Sequence, residues 1–358
     1  MKLVLISAGN SIHTMRWANA FVLRGLDVHL ITQHKPLAGF SKTVGIHPVP
    51  HLFGLGYLLN GLRVKKLIAE LDPDVVNVHY ASGYGSFVRW CAPEPTVLNV
   101  WGSDVFAFPE KSTLHKRWLL RNMRSASRIV STSKSMARRV ASLIGQTVPV
   151  AVVPFGVDMD MFKPLDPKED PSVVTIGTVK TLEPHYGVDL LIWAFIRLSA
   201  LKDLRPIQLR IVGGGGELQR LRAMVEQAGL MGRVEFVGPV PHDQVPSELH
   251  KLDVYVALSR EESFGVAVVE AQACGLPVVV SDVGGLPEVV QDMSTGFIVP
   301  SDDIKAATVA LEKLVRDHGS RRRMGTSARH FVVQNYEWET CVDRMLAVFN
   351  EVSSEQHR

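Results

Sequence analysis

The sequence predicts two α/β domains in tandem, each a parallel sheet with helices on both faces. The chain has 358 residues, more than the ~150 residues of one ordinary domain, which indicates two cores. Short apolar runs alternate with longer amphipathic runs in both halves, an alternation typical of doubly wound α/β folds. Residues 163–171, rich in proline and charge, separate the halves and are predicted to form a linker.

The first half alternates strand and helix patterns from its first residues onward. Strands are predicted at 3–7, 28–32, 75–79, 96–100, 128–132 and 150–153. Helices are predicted at 12–24, 55–71 and 113–126. Because these strands are short and apolar throughout, we expect them to be parallel and covered on both faces.

The pattern restarts after the linker. Strands are predicted at 173–177, 208–212, 234–237, 254–258 and 277–281. Helices are predicted at 188–201, 217–229 and 266–273. Ligands bind such sheets at the carboxyl ends of the strands, and with two domains the cleft between them is the expected site.

Cysteine usage and charge limit the compartment and the partners. Cys91, Cys274 and Cys341 lack disulfide or metal-ligand spacing, which indicates reduced thiols. No apolar stretch approaches the ~20 residues needed to span a bilayer, so we expect a cytoplasmic protein. Residues 1–165 carry 19 Lys and Arg against 9 Asp and Glu, whereas residues 166–358 carry 20 against 27. The basic half indicates an anionic membrane surface or a phosphate-bearing acceptor, because no nucleic-acid-binding motif accompanies it.

The segment most informative about chemistry is 259–271, which follows a predicted strand and opens a helix near Gly265. Free N–H groups at a helix N-terminus suit a phosphate, and glycine lets a ligand approach the backbone closely. Glu262 precedes this helix and Glu270 lies two turns inside it, and each carboxylate can accept hydrogen bonds from a diol. The segment therefore fits a nucleotide sugar, although a lone glutamate is more often a solvated helix charge.

The same segment resembles the retaining glycosyltransferases of family 4, whose GT-B fold has two Rossmann-like domains facing a central cleft. Those enzymes carry two glutamates separated by seven residues, with Phe-Gly just after the first. The matching residues here are Glu262, Phe264, Gly265 and Glu270. The resemblance continues through residues 154–158, 211–217, 281–288 and 295–300, and it is looser over the first half.

The predicted linker and the resemblance together give the domain boundaries. A C-terminal helix that begins within residues 335–339 crosses back to the first domain in this family. The predicted domains are therefore residues 1–165 with about 336–358, which would bind the acceptor, and residues 166–335, which would bind the nucleotide-sugar donor.

The resemblance assigns roles to individual residues of the donor site. Glu262 would contact the donor hexose and Glu270 the ribose hydroxyls, and Glu262 and Lys180 would be the catalytic residues. The implied donor-binding set is Gly9, Lys180, His185, Glu262, Ser263, Phe264, Gly265, Val266 and Glu270.

One position departs from the family pattern. The family places two basic residues on the diphosphate, usually an Arg and, six positions later, a Lys before Gly. Here Lys180 takes the first position and Tyr186 stands at the second, with His185 beside it. Lys180 can neutralise a leaving diphosphate as a point charge. A protonated His185, or another residue, would supply the second cation.

Strand ends of the first domain are expected to complete the donor site and bind the acceptor. The loop 7–11, which contains Gly9, follows the first strand and would contact the diphosphate through its backbone, as in the family. The acceptor candidates are His13, Arg16, His79, Trp101 and Asp104. A structural role is equally compatible with the sequence for His13 and Arg16. Relatives have a histidine at about the Trp101 position, so we assign no general base; the resemblance implies front-face displacement, with the leaving phosphate taking the acceptor proton.

No metal and no cofactor are predicted besides the nucleotide diphosphate sugar as co-substrate. Asp158 and Asp160 spell the Asp-x-Asp of metal-dependent glycosyltransferases, but that motif belongs to a different fold. The basic stretch 111–124 has interleaved apolar residues. It fits either an anionic membrane surface or an ordinary amphipathic helix that packs its apolar stripe inward.

The predicted function is a metal-independent, retaining hexosyltransferase of cell-envelope polysaccharide synthesis, peripheral at the inner face of the membrane. Its donor would be a UDP-sugar or, second, a GDP-sugar, and its acceptor a glycan or a lipid-linked molecule. Two alternatives remain. A GT-B-fold nucleotide-sugar epimerase would leave the basic half without a purpose, and a non-catalytic sugar-nucleotide-binding homologue finds its main support in Tyr186.

Overall fold

A computed structural model describes residues 1–92, 94–165 and 170–356. The centre of the predicted linker, residues 166–169, lies outside the described residues, as do positions 357 and 358 of the predicted first domain. The strands of the described residues are β1 (Lys2–Ile6), β2 (Asp27–Thr32), β3 (Gly45–Pro48), β4 (Val75–His79), β5 (Thr96–Val100), β6 (Arg128–Ser131), β7 (Val150–Val152), β8 (Val174–Val179), β9 (Ile207–Val212), β10 (Val234–Gly238), β11 (Val254–Ala257), β12 (Val278–Ser281) and β13 (Gly296–Val299).

Helices alternate with these strands along most of the chain. The α-helices of the described residues are α1 (Ile12–Leu23), α2 (Gly56–Leu59), α3 (Gly61–Leu71), α4 (Thr113–Arg124), α5 (Lys134–Ile144), α6 (Val188–Ser199), α7 (Leu218–Gln227), α8 (Val245–Leu249), α9 (Val266–Ala273), α10 (Leu286–Val289), α11 (Ile304–Arg316), α12 (His318–Tyr336) and α13 (Trp338–Gln356). Short 3-10 turns occur at Phe53–Leu55, Tyr84–Trp90, Phe108–Glu110, Pro184–Tyr186 and His242–Gln244.

The chain divides into two compact units. Unit 1 comprises Met1–Pro154 and Glu339–Arg358, and unit 2 comprises Phe155–Trp338. The change of unit comes before the boundary predicted at 165, because the intervening residues pack in unit 2. Phe162 is buried there, and its carbonyl accepts a hydrogen bond from Arg329 Nη1 at 2.6 Å.

Unit 1 is built on a parallel sheet with the strand order β3-β2-β1-β4-β5-β6-β7 within the described residues. The order reverses between β1 and β4, so the carboxyl ends of these two strands form the topological switch point of the sheet, where doubly wound folds bind ligands. The helix predicted at 55–71 is interrupted at Asn60, whose Nδ2 donates to the Pro50 carbonyl at 2.8 Å. The last helix, α13, contributes to unit 1 from Glu339 onward, and Phe349 packs against Phe21.

Unit 2 repeats this architecture with the order β10-β9-β8-β11-β12-β13, again parallel in every described pairing. Its switch point lies between β8 and β11. The observed bounds of α9 agree with the predicted helix 266–273, and the two doubly wound α/β domains predicted from the sequence are confirmed. No helix among the described residues combines the length and the apolar character needed to cross a bilayer.

Candidate functional site

The switch point of unit 2 brings together the two side chains predicted to be catalytic. Lys180 directly follows β8, and Glu262 lies in the loop after the neighbouring strand β11. Lys180 Nζ lies 2.5 Å from Glu262 Oε2, and the two side chains are only 13% and 12% exposed. Residues 82 positions apart therefore form one ion pair, because parallel strands end at the same edge of the sheet.

Tyr186 lies against the same lysine. The Lys180 ammonium is 4.1 Å from the centre of the Tyr186 ring, a cation–π distance, and the His185 ring lies 4.0 Å from that of Tyr186. The His185 carbonyl accepts N–H groups from Arg260 at 2.8 Å and Glu261 at 3.2 Å, which ties this turn to the loop after β11. The position at which the family carries a second cation thus holds a ring that contacts the first.

Glu270 is buried rather than solvated. Its side chain is 7% exposed, and its Oε1 lies 2.9 Å from His242 Nε2. The solvated-helix-charge alternative is therefore wrong for Glu270. Sequence reasoning missed His242. The only signal was its place a few residues beyond a predicted strand, whose carboxyl end shares an edge with β8 and β11.

Two glycines fix the backbone of the Glu262 loop. The Gly285 N–H donates to the Glu262 carbonyl at 3.0 Å. Gly284 has φ +54°, and a Cβ atom there would overlap that same carbonyl oxygen. Glycine is therefore required at 284 both by conformation and by the close approach of the two loops.

The residues that open α9 divide into backbone and core roles. Gly265 has φ +100° and begins the helix. The Phe264 ring is buried and packs against Phe155 and Tyr336, with centroid distances of 6.3 and 5.6 Å. The donor contact predicted for Phe264 therefore does not fit its side chain, since the ring is part of the core. Ser263 and Val266, both half-buried, remain candidates.

An arginine not found from the sequence supports this loop. Arg260 makes a bidentate pair with Asp189 at 2.9 and 3.0 Å and a further pair with Asp302 at 2.8 Å. It also donates to the Pro184 carbonyl at 2.8 Å. Its donors are thus engaged in holding the loops around Lys180, which is a positioning role rather than a ligand contact.

The Asp-x-Asp sequence forms a local turn. Asp158 Oδ1 accepts the N–H groups of Asp160 and Met161, each at 3.0 Å, as in an Asx turn. In the described part of the chain, no group of three or more His, Cys, Asp or Glu side chains is arranged to hold a metal ion.

The switch point of unit 1 opens into a cavity of about 760 Å³, within the ~300–1,000 Å³ range of ligand pockets. It is lined at the ends of β1, β4 and β5 by Ala8, His79 and Trp101. The aromatic residues in its walls are Tyr57, Tyr80, Tyr84, Trp101, Phe108 and Trp118. No Lys, Arg, Asp or Glu is among the described residues that line it.

Three predicted acceptor residues meet at this edge of the sheet. The Trp101 ring lies 4.8 Å from that of His79 and 5.7 Å from that of His13. His79 is 1% exposed, and burial lowers its pKa to about 3, so its imidazole is neutral near pH 7. Since Nε2 accepts a hydrogen bond from Asn77 Nδ2 at 3.2 Å, the neutral imidazole carries its proton on Nδ1, which can donate to a ligand hydroxyl. Arg16 lies half-buried on the first turns of α1.

Two other predicted residues of unit 1 have structural roles instead. Asp104 is fully buried, and its carboxylate accepts N–H groups of Ala81 at 2.9 Å, Trp101 at 3.1 Å and Gly102 at 2.8 Å. It holds the loop after β5 and leaves no oxygen facing an acceptor. The Gly9 N–H donates to Thr32 Oγ1 at 2.9 Å, so this amide is not available to a diphosphate.

The basic stretch forms α4, which packs its apolar stripe inward. Leu119 and Met123 are fully buried, and Trp118 Nε1 donates to Ser86 Oγ at 2.9 Å. The alternative of an ordinary amphipathic helix therefore describes most of α4. Leu114, which is 74% exposed, is the exception.

Comparison with known proteins places the chain in a family. Residues 160–331 match the family model described as glycosyl transferases group 1, and residues 2–133 match glycosyl transferase 4-like. The GDP-mannose-dependent alpha-(1-6)-phosphatidylinositol monomannoside mannosyltransferase of Mycolicibacterium smegmatis is 30% identical over 302 residues, which cover 78% of this chain and 76% of that relative.

Solved structures share the fold over nearly the whole chain. Sucrose-phosphate synthase of Thermosynechococcus elongatus superposes with a TM-score of 0.85 at 19% identity, covering 99% of this chain and 100% of that one. HepE of Anabaena, solved in complex with UDP, superposes with a TM-score of 0.81 at 18% identity, covering 98% and 99%.

Proposed function

Since the chain belongs to the glycosyltransferases of family 4 and has their GT-B fold, we propose that it moves a hexosyl group from a nucleotide diphosphate sugar to a glycan or lipid-linked acceptor. The observation that carries this proposal is the buried Lys180–Glu262 pair at the switch point of unit 2. Lys180 is a cation suited to a diphosphate, and Glu262 is a carboxylate suited to sugar hydroxyls. One hydrogen bond joins the two side chains.

The donor would rearrange this pair on binding. Lys180 would turn from Glu262 to the diphosphate, where its charge balances the leaving group. Glu262 would then be free to accept hydrogen bonds from the hexose hydroxyls. The Lys180–Glu262 pair leaves neither ion unpaired at 13% and 12% exposure, and the donor would supply new partners for both.

Ribose recognition is assigned to Glu270. Its carboxylate is 7% exposed and already accepts a hydrogen bond from His242 Nε2 at 2.9 Å. A vicinal diol can donate to the same carboxylate, either beside His242 or in its place. The backbone of 263–266, which opens α9 from Gly265, would offer N–H groups to the phosphates.

The reaction proposed is metal-independent transfer with retention by front-face displacement. The bond from the anomeric carbon to the diphosphate breaks, and a bond to the acceptor oxygen forms on the same face. The acceptor proton passes to a phosphate oxygen of the leaving group, so no protein base is needed. Lys180 stabilises the charge that develops on the diphosphate, and His185, whose ring contacts that of Tyr186 at a tilt, is the candidate for a second cation.

The acceptor site proposed is the aromatic cavity of unit 1, with Trp101 and His79 at its floor. Unit 1 carries 20 Lys and Arg against 11 Asp and Glu, and unit 2 carries 19 against 25. The excess of cations in unit 1 supports peripheral contact with an anionic membrane and a role in cell-envelope polysaccharide synthesis.

Two nucleotides are candidates for the donor. UDP-sugars were expected from the sequence, whereas the relative at 30% identity is named for its dependence on GDP-mannose. None of the relatives described above supports the epimerase alternative.

A donor panel tests the proposal directly. Purified protein would be melted with UDP-glucose, UDP-galactose, UDP-N-acetylglucosamine and GDP-mannose, and the bound donor should raise the melting temperature. Glu262→Ala should abolish both transfer and slow donor hydrolysis while Glu261→Ala, an exposed neighbour, leaves them intact. The enzyme assignment fails if no donor shifts the melting temperature and Glu262→Ala changes neither rate.

A further inference from the structure

The cavity of unit 1 is lined mainly by aromatic and apolar surface, and several of its polar groups already have partners within the protein. The Tyr84 hydroxyl lies 2.7 Å from His34 Nδ1 and accepts the Gln33 N–H at 3.0 Å. Trp118 Nε1 is satisfied by Ser86 Oγ at 2.9 Å. A sugar buried among these walls would find few partners for its hydroxyls, and an unpaired buried hydroxyl is costly. A hydrocarbon group has no hydroxyl to leave unpaired and can be buried here without that cost.

The absence of charged side chains from the described lining also favours an apolar ligand. None of the described lining residues is Lys, Arg, Asp or Glu, so the cavity offers no counter-ion to a phosphate. The His79 imidazole in the lining is 1% exposed, and its Nδ1 has no hydrogen-bond partner within the described residues. One hydroxyl at the floor and hydrocarbon along the walls would match this distribution.

The mouth of the cavity is apolar and open to solvent. Leu58 of α2 and Leu114 of α4 both line the cavity, yet they are 50% and 74% exposed. The exposed part of each of these leucine side chains contributes nothing to folding, because that apolar area stays in water. They suit a ligand that is itself apolar where it leaves the cavity.

Leu58 also belongs to a larger exposed leucine surface. Leu55, Leu59 and Leu62 are 62%, 65% and 72% exposed. Together with Leu58 they lie in one short segment of the chain, with Leu55 in a 3-10 turn, Leu58 and Leu59 in α2 and Leu62 in α3. We define the leucine surface as Leu55, Leu58, Leu59, Leu62 and Leu114.

Cations flank the leucine surface. Arg63 and Lys65 on α3, and Lys116 and Arg117 on α4, are exposed next to it in the chain. Apolar side chains with adjacent cations are the combination that binds an anionic bilayer, where each cation contributes roughly 1 kcal/mol. A water-soluble partner of opposite charge would need the cations but not the leucines.

We propose that the cavity holds the hydrocarbon chain of an amphiphilic acceptor, which leaves between Leu58 and Leu114 into an anionic bilayer on which the leucine surface rests. The identification of this ligand as the acceptor rests on the proposed function. The cavity ligand itself, a chain with an uncharged hydroxyl-bearing head, follows from the cavity alone.

Binding of alkyl glucosides tests the cavity. Calorimetry on the full chain would compare n-octyl β-D-glucopyranoside, kept below its critical micelle concentration, with methyl β-D-glucopyranoside. The octyl compound should bind at least tenfold more tightly, because the two differ only in apolar length. Leu58→Gln and Leu114→Gln should each weaken octyl binding at least threefold. Leu23→Gln, a matched change at an 82% exposed leucine of α1, should leave it unchanged.

Vesicle sedimentation tests the bilayer. The protein should co-sediment with vesicles of phosphatidylcholine and phosphatidylglycerol and not with phosphatidylcholine alone, and the double variant Leu59→Gln, Leu62→Gln should lose this binding. Equal affinities for the octyl and methyl glucosides would overturn the inference, as would octyl binding that Leu23→Gln weakens as much as Leu58→Gln. Failure to sediment with either vesicle would overturn its bilayer part.

The donor-binding panel distinguishes a failure of this inference from a failure of the proposed function. Donor binding involves Lys180, Glu262 and Glu270 of unit 2, whereas every variant above lies in unit 1. Hexosyl transfer to a soluble glycan, without binding of the octyl glucoside, would contradict this inference but not the proposed function. Binding of the octyl glucoside, without binding of any donor, would contradict the proposed function but not this inference.

Discussion

Unit 1 and unit 2 each have a parallel sheet whose strand order reverses once, between β1 and β4 in the first and between β8 and β11 in the second. Near the reversal in unit 2, polar side chains are paired, as in the Lys180–Glu262 ion pair and the contact between His242 and Glu270. At the reversal in unit 1, they are rings around a cavity whose described lining carries no Lys, Arg, Asp or Glu.

The difference shows that topology places a site without choosing its chemistry. Both sheets gather strand ends at one edge, since parallel strands with right-handed crossovers leave a crevice where the order reverses. What binds there depends on the few residues just beyond each strand. Lysine and glutamate side chains suit a diphosphate and a diol, whereas neutral rings suit apolar groups, which is why the proposed function assigns donor and acceptor binding to different units.

The largest effect is expected for the cation of unit 2. Lys180→Ala should lower kcat for hexosyl transfer about 10²- to 10³-fold, the loss typical of removing one group that stabilises a developing charge. Steady-state kinetics with the donor found in the panel would measure it. Lys180→Arg should restore part of the rate because it keeps the charge.

Lys202→Ala is the matched control, since Lys202 is an exposed lysine of the same unit, and its rate should equal that of the wild type. If Lys180→Ala keeps kcat within threefold, the charged switch point of unit 2 is not catalytic. The contrast between the two units then loses its basis.

The second effect concerns the backbone that holds Glu262. Gly284→Ala should lower the free energy of unfolding by about 2–4 kcal/mol, because its Cβ would overlap the Glu262 carbonyl and its φ of +54° is unfavourable for alanine. Urea unfolding followed by circular dichroism would measure the loss.

Gly229→Ala separates conformation from contact. Gly229 has φ +67°, but a Cβ there would meet nothing within 4 Å, so only the conformational cost of about 1–2 kcal/mol is expected. Equal losses in the two variants would mean that the Glu262 and Gly284 loops are not in close contact.

The third effect is the pH dependence of unit 1. Burial lowers the pKa of His79 to about 3, whereas in the unfolded chain a histidine titrates near ~6.5. Between these values the unfolded state binds more protons, so the free energy of unfolding falls as the pH is lowered through this window. The slope from this residue is at most about 1.4 kcal/mol per pH unit.

Urea unfolding at pH 7.5, 6.0 and 5.0 would measure the slope. His79→Gln should flatten it, because the variant has no imidazole to protonate. His330→Gln, a change at an exposed histidine of α12 in unit 2, should retain the wild-type slope. A His79→Gln protein as sensitive to acid as the wild type would show that this imidazole is not held neutral by burial.

The smallest effect is expected for the ring that replaces the second cation of the family. Tyr186→Leu should weaken donor binding about two- to fivefold, since a cation–π contact at a partly exposed site contributes roughly 0.5–1 kcal/mol to holding Lys180 in place. Tyr186→Phe keeps the ring face and should bind the donor as the wild type does. Calorimetric titration of the three proteins with donor checks this. A loss in Tyr186→Phe as large as in Tyr186→Leu would assign the effect to the hydroxyl.

The elements predicted most closely were those with strong patterns and clear boundaries. The helix 266–273 begins and ends as predicted, because Gly265 at φ +100° starts it and the apolar run ends at Ala273. The strands β3 and β13 and the helices α5, α8, α10, α11 and α12 were not predicted. β3, an edge strand of four residues, has no fully buried side chain and so lacks an apolar run. The helix predicted at 55–71 contains a break at Asn60 that depends on a hydrogen bond to distant Pro50.

The sequence by itself determined the fold class, the family and the identity of the charged residues Lys180, Glu262 and Glu270. Apolar periodicity and the spacing within one loop-helix segment are local properties, so they can be read along the chain. Only the tertiary structure decided which side chains meet. It paired Glu270 with His242, buried the Phe264 ring and Asp104, and formed the aromatic cavity that opens beside Leu58 and Leu114. These contacts join residues far apart in sequence, and strand order rather than spacing brings them together.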